Sequence, residues 1–321
     1  MARVVLGVGS SHGPSIQSAP EQWARLGEGD TRDPRFDYQE LLRNAKPGLD
    51  REITIDVQRQ RHAAAQTAIK KLTDIVVRSK LDVVVIVSNQ HRIRPADNHP
   101  VFGVFRAASF PMTKRSHVPF DPAMRFVPES KRRSDVIDIE LPGRVDLANH
   151  LIDALIEDDF DVACTDELPQ GATLDDAFVF PTEFLFGGTT IPIVPFLLSR
   201  DLPNQATASR CYDLGSALRR AIDSWPSDAR VGLVASGGLS HQIVDEELDR
   251  GIVEALVSGD GDALRNQSRA RLNRGPGTPE ILNWITVAAA MAPSQMTLVD
   301  YLPCYRSLAG TGHGLSFGYW L

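Results

Sequence analysis

Three histidines stand directly behind short apolar runs. His12 follows Arg3–Val8 and a Gly9-Ser10-Ser11 turn, His91 follows Leu81–Val87 and Ser88-Asn89-Gln90, and His241 follows Val231–Ser236 and Gly237-Gly238-Leu239-Ser240. Runs of this length, apolar on both faces, are strands of a buried parallel sheet. The glycine or serine turns behind them let the backbone bend sharply and approach a ligand closely. Side chains placed this way gather at the carboxyl edge of the sheet, where open α/β folds put their sites. Glu246-Glu247-Leu248-Asp249 comes shortly after His241 and reads as the first turn of a helix, where carboxylates suit the dipole. His12, His91 and Glu247 then offer two neutral imidazoles and one carboxylate, the facial donor set of a non-haem Fe(II) centre with open positions. Zinc fits the same donors with a water in the fourth place. Glu246 is the alternative carboxylate, because neighbouring helical side chains diverge by about 100° and only one of them faces inward. His241 is left for acid–base work, since imidazole titrates near neutrality.

The elements that must position these groups alternate between helical and strand patterns. Ile53, Val57, Ala64, Ala68, Leu72, Ile75 and Val76 recur at helical spacing and predict a long helix from Asp50 to about Ser79. His62 on this helix and His150 on a second one, Leu147–Ile156, read as packed structural residues. Further helices are predicted over Cys211–Ser224, Glu246–Ser258 and Glu280–Ala290, and strands over Val101–Phe105 and Phe160–Cys164. Ile191–Phe196 contains prolines, which predicts a strand near an edge. Residues 17–50 read as an insertion or lid of short helical pieces, and residues 110–144 as a basic, proline-rich excursion that carries His117. Tyr301–Leu321 is glycine-rich and carries Arg306 and His313; it reads as a loop able to close over a site and meet a carboxylate or hydroxyl of a ligand. No repeat or clean linker divides the chain. The expectation is one α/β catalytic domain over residues 1–321, with a mostly parallel central sheet flanked by helices and its site at the C-terminal ends of the strands.

The composition narrows the class. A chain of 321 residues with 42% hydrophobic and 23% charged residues can bury a sizeable core. A net charge of −7 argues against a general nucleic-acid surface and means that an anionic ligand would need a local Arg or Lys. Cys164, Cys211 and Cys304 are far apart, form no metal spacing, and read as buried thiols in a reducing cytoplasm. No apolar run reaches the length of a membrane span, and residues 1–9 lack the pattern of a signal peptide.

Ser10-Ser11-His12-Gly13-Pro14, Asn89-Gln90-His91 and Gly237-Gly238-Leu239-Ser240-His241 with Glu246-Glu247-Leu248-Asp249 resemble the class III extradiol ring-cleavage dioxygenases, the superfamily of the protocatechuate 4,5-dioxygenase catalytic subunit. The likeness runs with gaps from residue 2 to about residue 255 and includes Leu147–Leu151 through Asp159-Phe160-Asp161. Pro303–Ser307 and Gly310–Gly312 resemble the single-chain gallate and 3-O-methylgallate branch. The resemblance implies Fe(II) on His12, His91 and Glu247, a catechol-type substrate chelating it through two oxygens, and O2 alongside. It implies His241 as the proton donor and acceptor and Asn89 near the ring, and it suggests self-association of the chain. Asp176 stands where the protocatechuate branch has a histidine; a carboxylate accepts where an imidazole could donate, so other ring substituents are expected. The 17–50 insertion is also longer than in that branch. A zinc hydrolase on the same ligands and a non-catalytic binding protein of the same fold are the competing readings.

Overall fold

In the computed structural model, which describes residues 1–89, 100–112, 139–168 and 173–321, the apolar runs become strands of one large sheet. The strands are β1 (Arg3–Ser10), β2 (Val83–Asn89), β3 (Phe102–Phe105), β4 (Ser109–Met112), β5 (Ile139–Pro142), β6 (Val162–Thr165), β7 (Ile193–Leu198), β8 (Arg230–Ser236), β9 (His241–Ile243), β10 (Thr297–Tyr305) and β11 (Thr311–Trp320). The order across the sheet is β10-β11-β1-β8-β2-β7-β3-β6, with β9 paired to β11 and with β4 and β5 forming a separate ribbon. β1, β8, β2 and β7 run parallel. The flanks are mixed: β11 is antiparallel to β1, β10 and β9, while β3 is antiparallel to β7 and parallel to β6.

The longer helices are α1 (Ile55–Arg78), α2 (Val145–Glu157), α4 (Ala208–Ser224), α5 (Glu246–Ser258) and α6 (Ile281–Met291), with the short α3 (Asp176–Phe180) between α2 and α4. The strand period of two decides how they pack. Val83, Val85 and Val87 of β2 point into one core with α2, α4, α5 and α6, and Val84 and Ile86 into the other with α1 and α3. Each such side chain contributes roughly 1.5–3 kcal/mol when fully buried. A sheet covered on both sides explains why its central strands have no polar face. α6 is the extreme case, because all of its residues are buried. Its Trp284 lies flat on β1, where a Cβ at Gly9 would stand 2.2 Å from the ring, and its indole N–H donates to Gly237 O at 2.9 Å. That contact fixes the start of α6 beside the turn after β8.

Three expectations are corrected. β7 lies inside the sheet, between β2 and β3; Pro192 and Pro195 are tolerated because both precede Phe196–Leu198, the residues that pair with β3. Tyr301–Leu321 is no loop but most of the β10–β11 hairpin. Its glycines serve close packing within a strand, as at Gly314, where a Cβ would meet Asp249 Oδ2 at 2.0 Å. Cys164 is exposed because β6 is an edge strand, while Cys211 and Cys304 are buried and burial pushes each thiol up to about 12. Residues 17–50 do form short helical pieces, Trp23–Asp30 and Tyr38–Arg43 among them. Among the described residues no helix is long and apolar enough to cross a membrane.

Candidate active site

β1 and β8 are parallel neighbours in a register that sets Ser10 beside Ser236, so the segments leaving them run together. His12 Nδ1 lies 2.9 Å from Ser236 Oγ. That hydroxyl gives its own proton to Ala177 O at 2.5 Å, and therefore meets the imidazole with a lone pair. In the neutral ring Nδ1 accordingly carries the proton and Nε2 the lone pair, the arrangement by which a hydrogen-bonded partner orients a metal-binding histidine. Nε2 faces Glu280 Oε1 across 4.0 Å.

β8 ends in a turn shaped by that same glutamate. Gly237 has φ +140°, which disfavours any side chain, and a Cβ there would stand 2.8 Å from Glu280 Oε2. The Gly238 N–H donates to Glu280 Oε2 at 2.9 Å. Ser240 is clamped by Asp249, whose Oδ1 accepts its N–H at 2.7 Å and whose Oδ2 accepts its hydroxyl at 2.6 Å. His241 follows, its N–H donating to Thr278 Oγ1 at 3.1 Å and its Nδ1 lying 3.4 Å from Glu280 Oε2. Gln242 then takes φ +73°, a left-handed conformation that a non-glycine residue holds only when its surroundings impose it. Pairing of β9 with β11 sets His241 opposite His313, with the rings edge to face at 4.4 Å. His313 Nδ1 in turn lies 2.9 Å from Ser15 Oγ.

Glu280, 1% exposed, sits at the head of α6. Besides Gly238 it meets Arg200, from just beyond β7, whose Nη1 lies 3.5 Å from Oε1. One turn on, Asn283 donates to Asn89 Oδ1 at 2.8 Å and to Ser236 O at 2.9 Å, tying α6 to the ends of β2 and β8. Two imidazoles, a carboxylate and a guanidinium thus meet at the carboxyl edge of the parallel strands. A charge this deep persists only when paired and hydrogen-bonded, as this carboxylate is.

Glu247 is not part of this group. Its side chain is 90% exposed and faces Arg271 at 3.2 Å, because the first turn of α5 presents that position to solvent. The alternative, Glu246, is engaged by Lys46, by the Tyr305 hydroxyl at 2.7 Å and by Arg250 at 3.1 Å. Burial alone would raise its pKa, but these hydrogen bonds hold it down at about 2. The carboxylate that stands with His12 and His241 is Glu280. Asn89 is fully buried, its Oδ1 taking the Asn283 proton and its Nδ2 donating to Leu198 O at 2.9 Å. Asp176 is half-buried on the first turn of α3, next to the Ala177 carbonyl that holds Ser236; the Phe180 ring of the same helix lies 6.5 Å from that of His12. Arg306, expected to meet a ligand, is spent on a buried bidentate pair with Asp30 at 2.6 and 2.8 Å. His62 and His150 are hydrogen-bonded to Ile16 O and Ala221 O at 3.2 and 2.9 Å.

His91 and His117 lie outside the described residues. Among the described residues no group of three or more His, Cys, Asp and Glu side chains has the spacing of a complete metal site. His12 and Glu280 do face each other as an imidazole and a carboxylate, donor types that suit a borderline divalent ion. A cleft of about 640 Å³ opens elsewhere, between residues 36–49 and the 243–248 and 271–278 segments. It reaches Thr278 but none of His12, His241 or Glu280, so the cleft and the polar cluster are separate features. Glu280, Arg200 and Asp249 are the residues the sequence reading missed. Glu280 carried a usable signal, an isolated acid directly before an uncharged eleven-residue helix.

A family model described as the catalytic LigB subunit of aromatic ring-opening dioxygenase matches residues 53–299. The chain is 32% identical over 184 residues to a gallate dioxygenase of Pseudomonas putida, a match covering 52% of this chain and 52% of that protein. It is also 32% identical over 123 residues, 37% of each chain, to a 2,3-dihydroxyphenylpropionate/2,3-dihydroxicinnamic acid 1,2-dioxygenase of Paraburkholderia phymatum. The alignments thus span about half the length of the first relative and less of the second. A crystal structure of an uncharacterized protein from Escherichia coli K12 superposes loosely, with a TM-score of 0.46 and 16% identity over 78% of this chain and 91% of that one.

Proposed function

The chain belongs to the LigB family of aromatic ring-opening dioxygenase catalytic subunits, and from that premise we propose that it is an extradiol dioxygenase. It opens the ring of a substituted catechol beside the diol and inserts both atoms of O2, using Fe(II) held by His12, His91 and Glu280. The observation that carries this reading is the lone-pair nitrogen of His12 facing the buried Glu280 carboxylate at the strand ends, with His241 against the same carboxylate. When bound, the iron supplies a common centre for the diol and O2 and a path for electrons between them.

The protein residues supply the rest. Ser236 fixes the His12 tautomer, so Nε2 is the donor nitrogen. Gly238 holds Glu280 through Oε2, which orients Oε1 toward His12. His241 takes a proton from a substrate hydroxyl and returns it to the ring-opened product. Its 9% exposure keeps bulk water from competing for that proton, and the edge-on His313 ring fixes its plane. His313 and Asp176 meet the ring substituents. His241 lies against Glu280 Oε2, the oxygen held by the Gly238 N–H, and serves as the acid–base group rather than as a further metal ligand.

The test is oxygen uptake and the appearance of yellow ring-opened product on a panel of catechols, with anaerobically purified protein loaded with Fe(II). Uptake that depends on Fe(II), with Zn(II) inactive, is the expected result. Full Fe(II) occupancy with no uptake on any catechol would overturn the reading.

A further inference from the structure

Asp249 is a buried ionisable group that the chemistry above does not use. It is 0% exposed, and burial pushes its carboxyl up from 3.8 to about 7 against the pull of its hydrogen bonds. Ile252 and Leu256 lie on the same face of α5, so an apolar side chain there would join the core without that cost. The groups that the carboxylate holds give it a purpose. Its Oδ1 accepts the Ser240 N–H at 2.7 Å, and its Oδ2 accepts the Ser240 hydroxyl at 2.6 Å and the Tyr301 hydroxyl at 2.8 Å. Tyr301 comes from β10 and is half-buried, with the Arg250 guanidinium over its ring at 5.5 Å.

This clamp grips both backbones that carry the facing histidines. Ser240 immediately precedes His241, and Gly314 immediately follows His313. The two are tied together, because the Gly314 N–H donates to Ser240 O at 2.8 Å and the Leu239 N–H donates to Gly314 O at 3.0 Å. Asp249 Oδ2 fills the place of the side chain that Gly314 lacks, since a Cβ there would stand 2.0 Å from it. One residue away on each backbone, the rings of His241 and His313 meet at 4.4 Å. A group that transfers protons depends steeply on placement, and a shift of roughly 1 Å can cost about 10²-fold in rate. Hydrogen bonds to a carboxylate are short and directional, so they fix an orientation that apolar packing leaves loose.

We propose that Tyr301 and Asp249 are positioning residues for His241, acting through Ser240 and Gly314 on the alignment of its imidazole and so on proton transfer. The proposal rests on the ring-cleavage reading for its reaction, and its test separates the two. The alternative is that the pair only stabilises the fold.

The experiment uses the full chain in two forms. In substrate-free protein prepared with Zn(II), the histidine ring signals are recorded by NMR, and those of His241 are assigned by their loss in His241→Gln. Asp249→Asn and Tyr301→Phe shift the His241 signals and leave those of His62 and His150 in place. In the Fe(II) form, Tyr301→Phe lowers kcat roughly 3- to 10-fold and Asp249→Asn roughly 10-fold, the worth of about one hydrogen bond, while KM and iron content stay unchanged. The double variant falls no further than Asp249→Asn alone, because both changes act through one carboxylate. Tyr301→Phe keeps the ring and its packing, so it decides the matter if Asp249→Asn does not fold. A lower urea midpoint with kcat and the His241 signals unchanged, a KM or iron content that moves in step with kcat, or losses that multiply in the double variant would each overturn the proposal. If no catechol is consumed at all, the ring-cleavage reading fails, while the His241 signals still decide whether the pair sets the imidazole.

Discussion

α5 opens with three acidic residues and α6 is preceded by one, Glu280, and among the described residues only that one brings a carboxylate to the histidines. α5 carries Glu246, Glu247 and Asp249 in its first turn, and it is amphipathic, so Glu247 simply enters water at 90% exposure. α6 has no exposed residue, so the single acid at its head has no water to enter and must find donors inside. It finds the Gly238 N–H as a donor and the charge of Arg200 at 3.5 Å, and it faces the two histidines. A dense run of carboxylates therefore marks solvent, whereas an isolated one before an all-apolar helix marks a built site.

The sharpest way to break this contrast is Glu280→Ala. The variant should fold, lose stoichiometric iron after anaerobic reconstitution and lose turnover with it. Its loss of metal affinity should exceed the roughly 10- to 100-fold that follows from removing an outer partner of a ligand. Full iron occupancy in Glu280→Ala would remove this residue from the ligand set and return the question to α5. Next in size is His241→Gln, expected to keep iron and anaerobic substrate affinity while turnover drops roughly 10²–10⁴-fold, the usual worth of a positioned acid–base group. Iron falling in step with activity would instead make His241 a ligand or a structural turn residue.

The same contrast explains what could be read in advance. The strands β2 and β8 and the helix Glu246–Ser258 were legible because their periodicity is strong and local. That His12 and His241 share a strand edge was legible because each follows a buried run at once. Arg200 was hidden because its neighbours in sequence are a strand end and an irregular loop, and its importance comes only from Glu280, 80 residues away in the chain. The β10–β11 hairpin was hidden because Gly312, Gly314 and Gly318 imitate a loop, whereas β11 needs them to let β10, Asp249 and Met296 approach. Asp249 stood in the sequence only as one more carboxylate of a helix start, although it shares a helical face with Ile252 and Leu256 at spacings of three and seven, a face that packs into the core.

Asp249 also sharpens the comparison within α5. Burial pushes its carboxyl up from 3.8 to about 7, whereas Glu246, one turn-position away, is held down from 4.5 to about 2. The signs are opposite. Asp249 contributes stability that is complete below 3.8 and lost as pH rises through about 7, because the folded chain keeps a proton that the unfolded chain would release. Glu246 contributes stability above 4.5 that is lost as pH falls toward 2. Urea midpoints measured across this range should therefore flatten near neutrality in Asp249→Asn and flatten on the acid side in Glu246→Gln. Asp249→Asn should also lower kcat by roughly 10-fold, the worth of about one hydrogen bond through the Ser240 clamp, with little change in KM. An unchanged slope near neutrality in Asp249→Asn would show that this carboxyl is ionised in the fold like any other.

The smallest effect belongs to Glu247, and it tests the comparison from its quiet side. Glu247→Ala removes a side chain that is 90% exposed and whose facing cation, Arg271, is itself 36% exposed at 3.2 Å. A pair so open to water is screened by solvent, and its median worth is roughly 0–1 kcal/mol. The alanine also has a higher helix propensity, although the first turn loses one favourable charge against the dipole; these two small terms oppose each other. Stability should then stay within about 0.5 kcal/mol of the wild type. Iron content and turnover should not move at all, because the nearest functional contact of this helix is made by Asp249 through Ser240, on the opposite face. Iron stoichiometry, urea midpoint and turnover measured on one preparation settle it. Loss of iron in Glu247→Ala with a normal urea midpoint would mean that the first turn of α5 swings inward when metal binds, and the contrast between the two helix starts would fail.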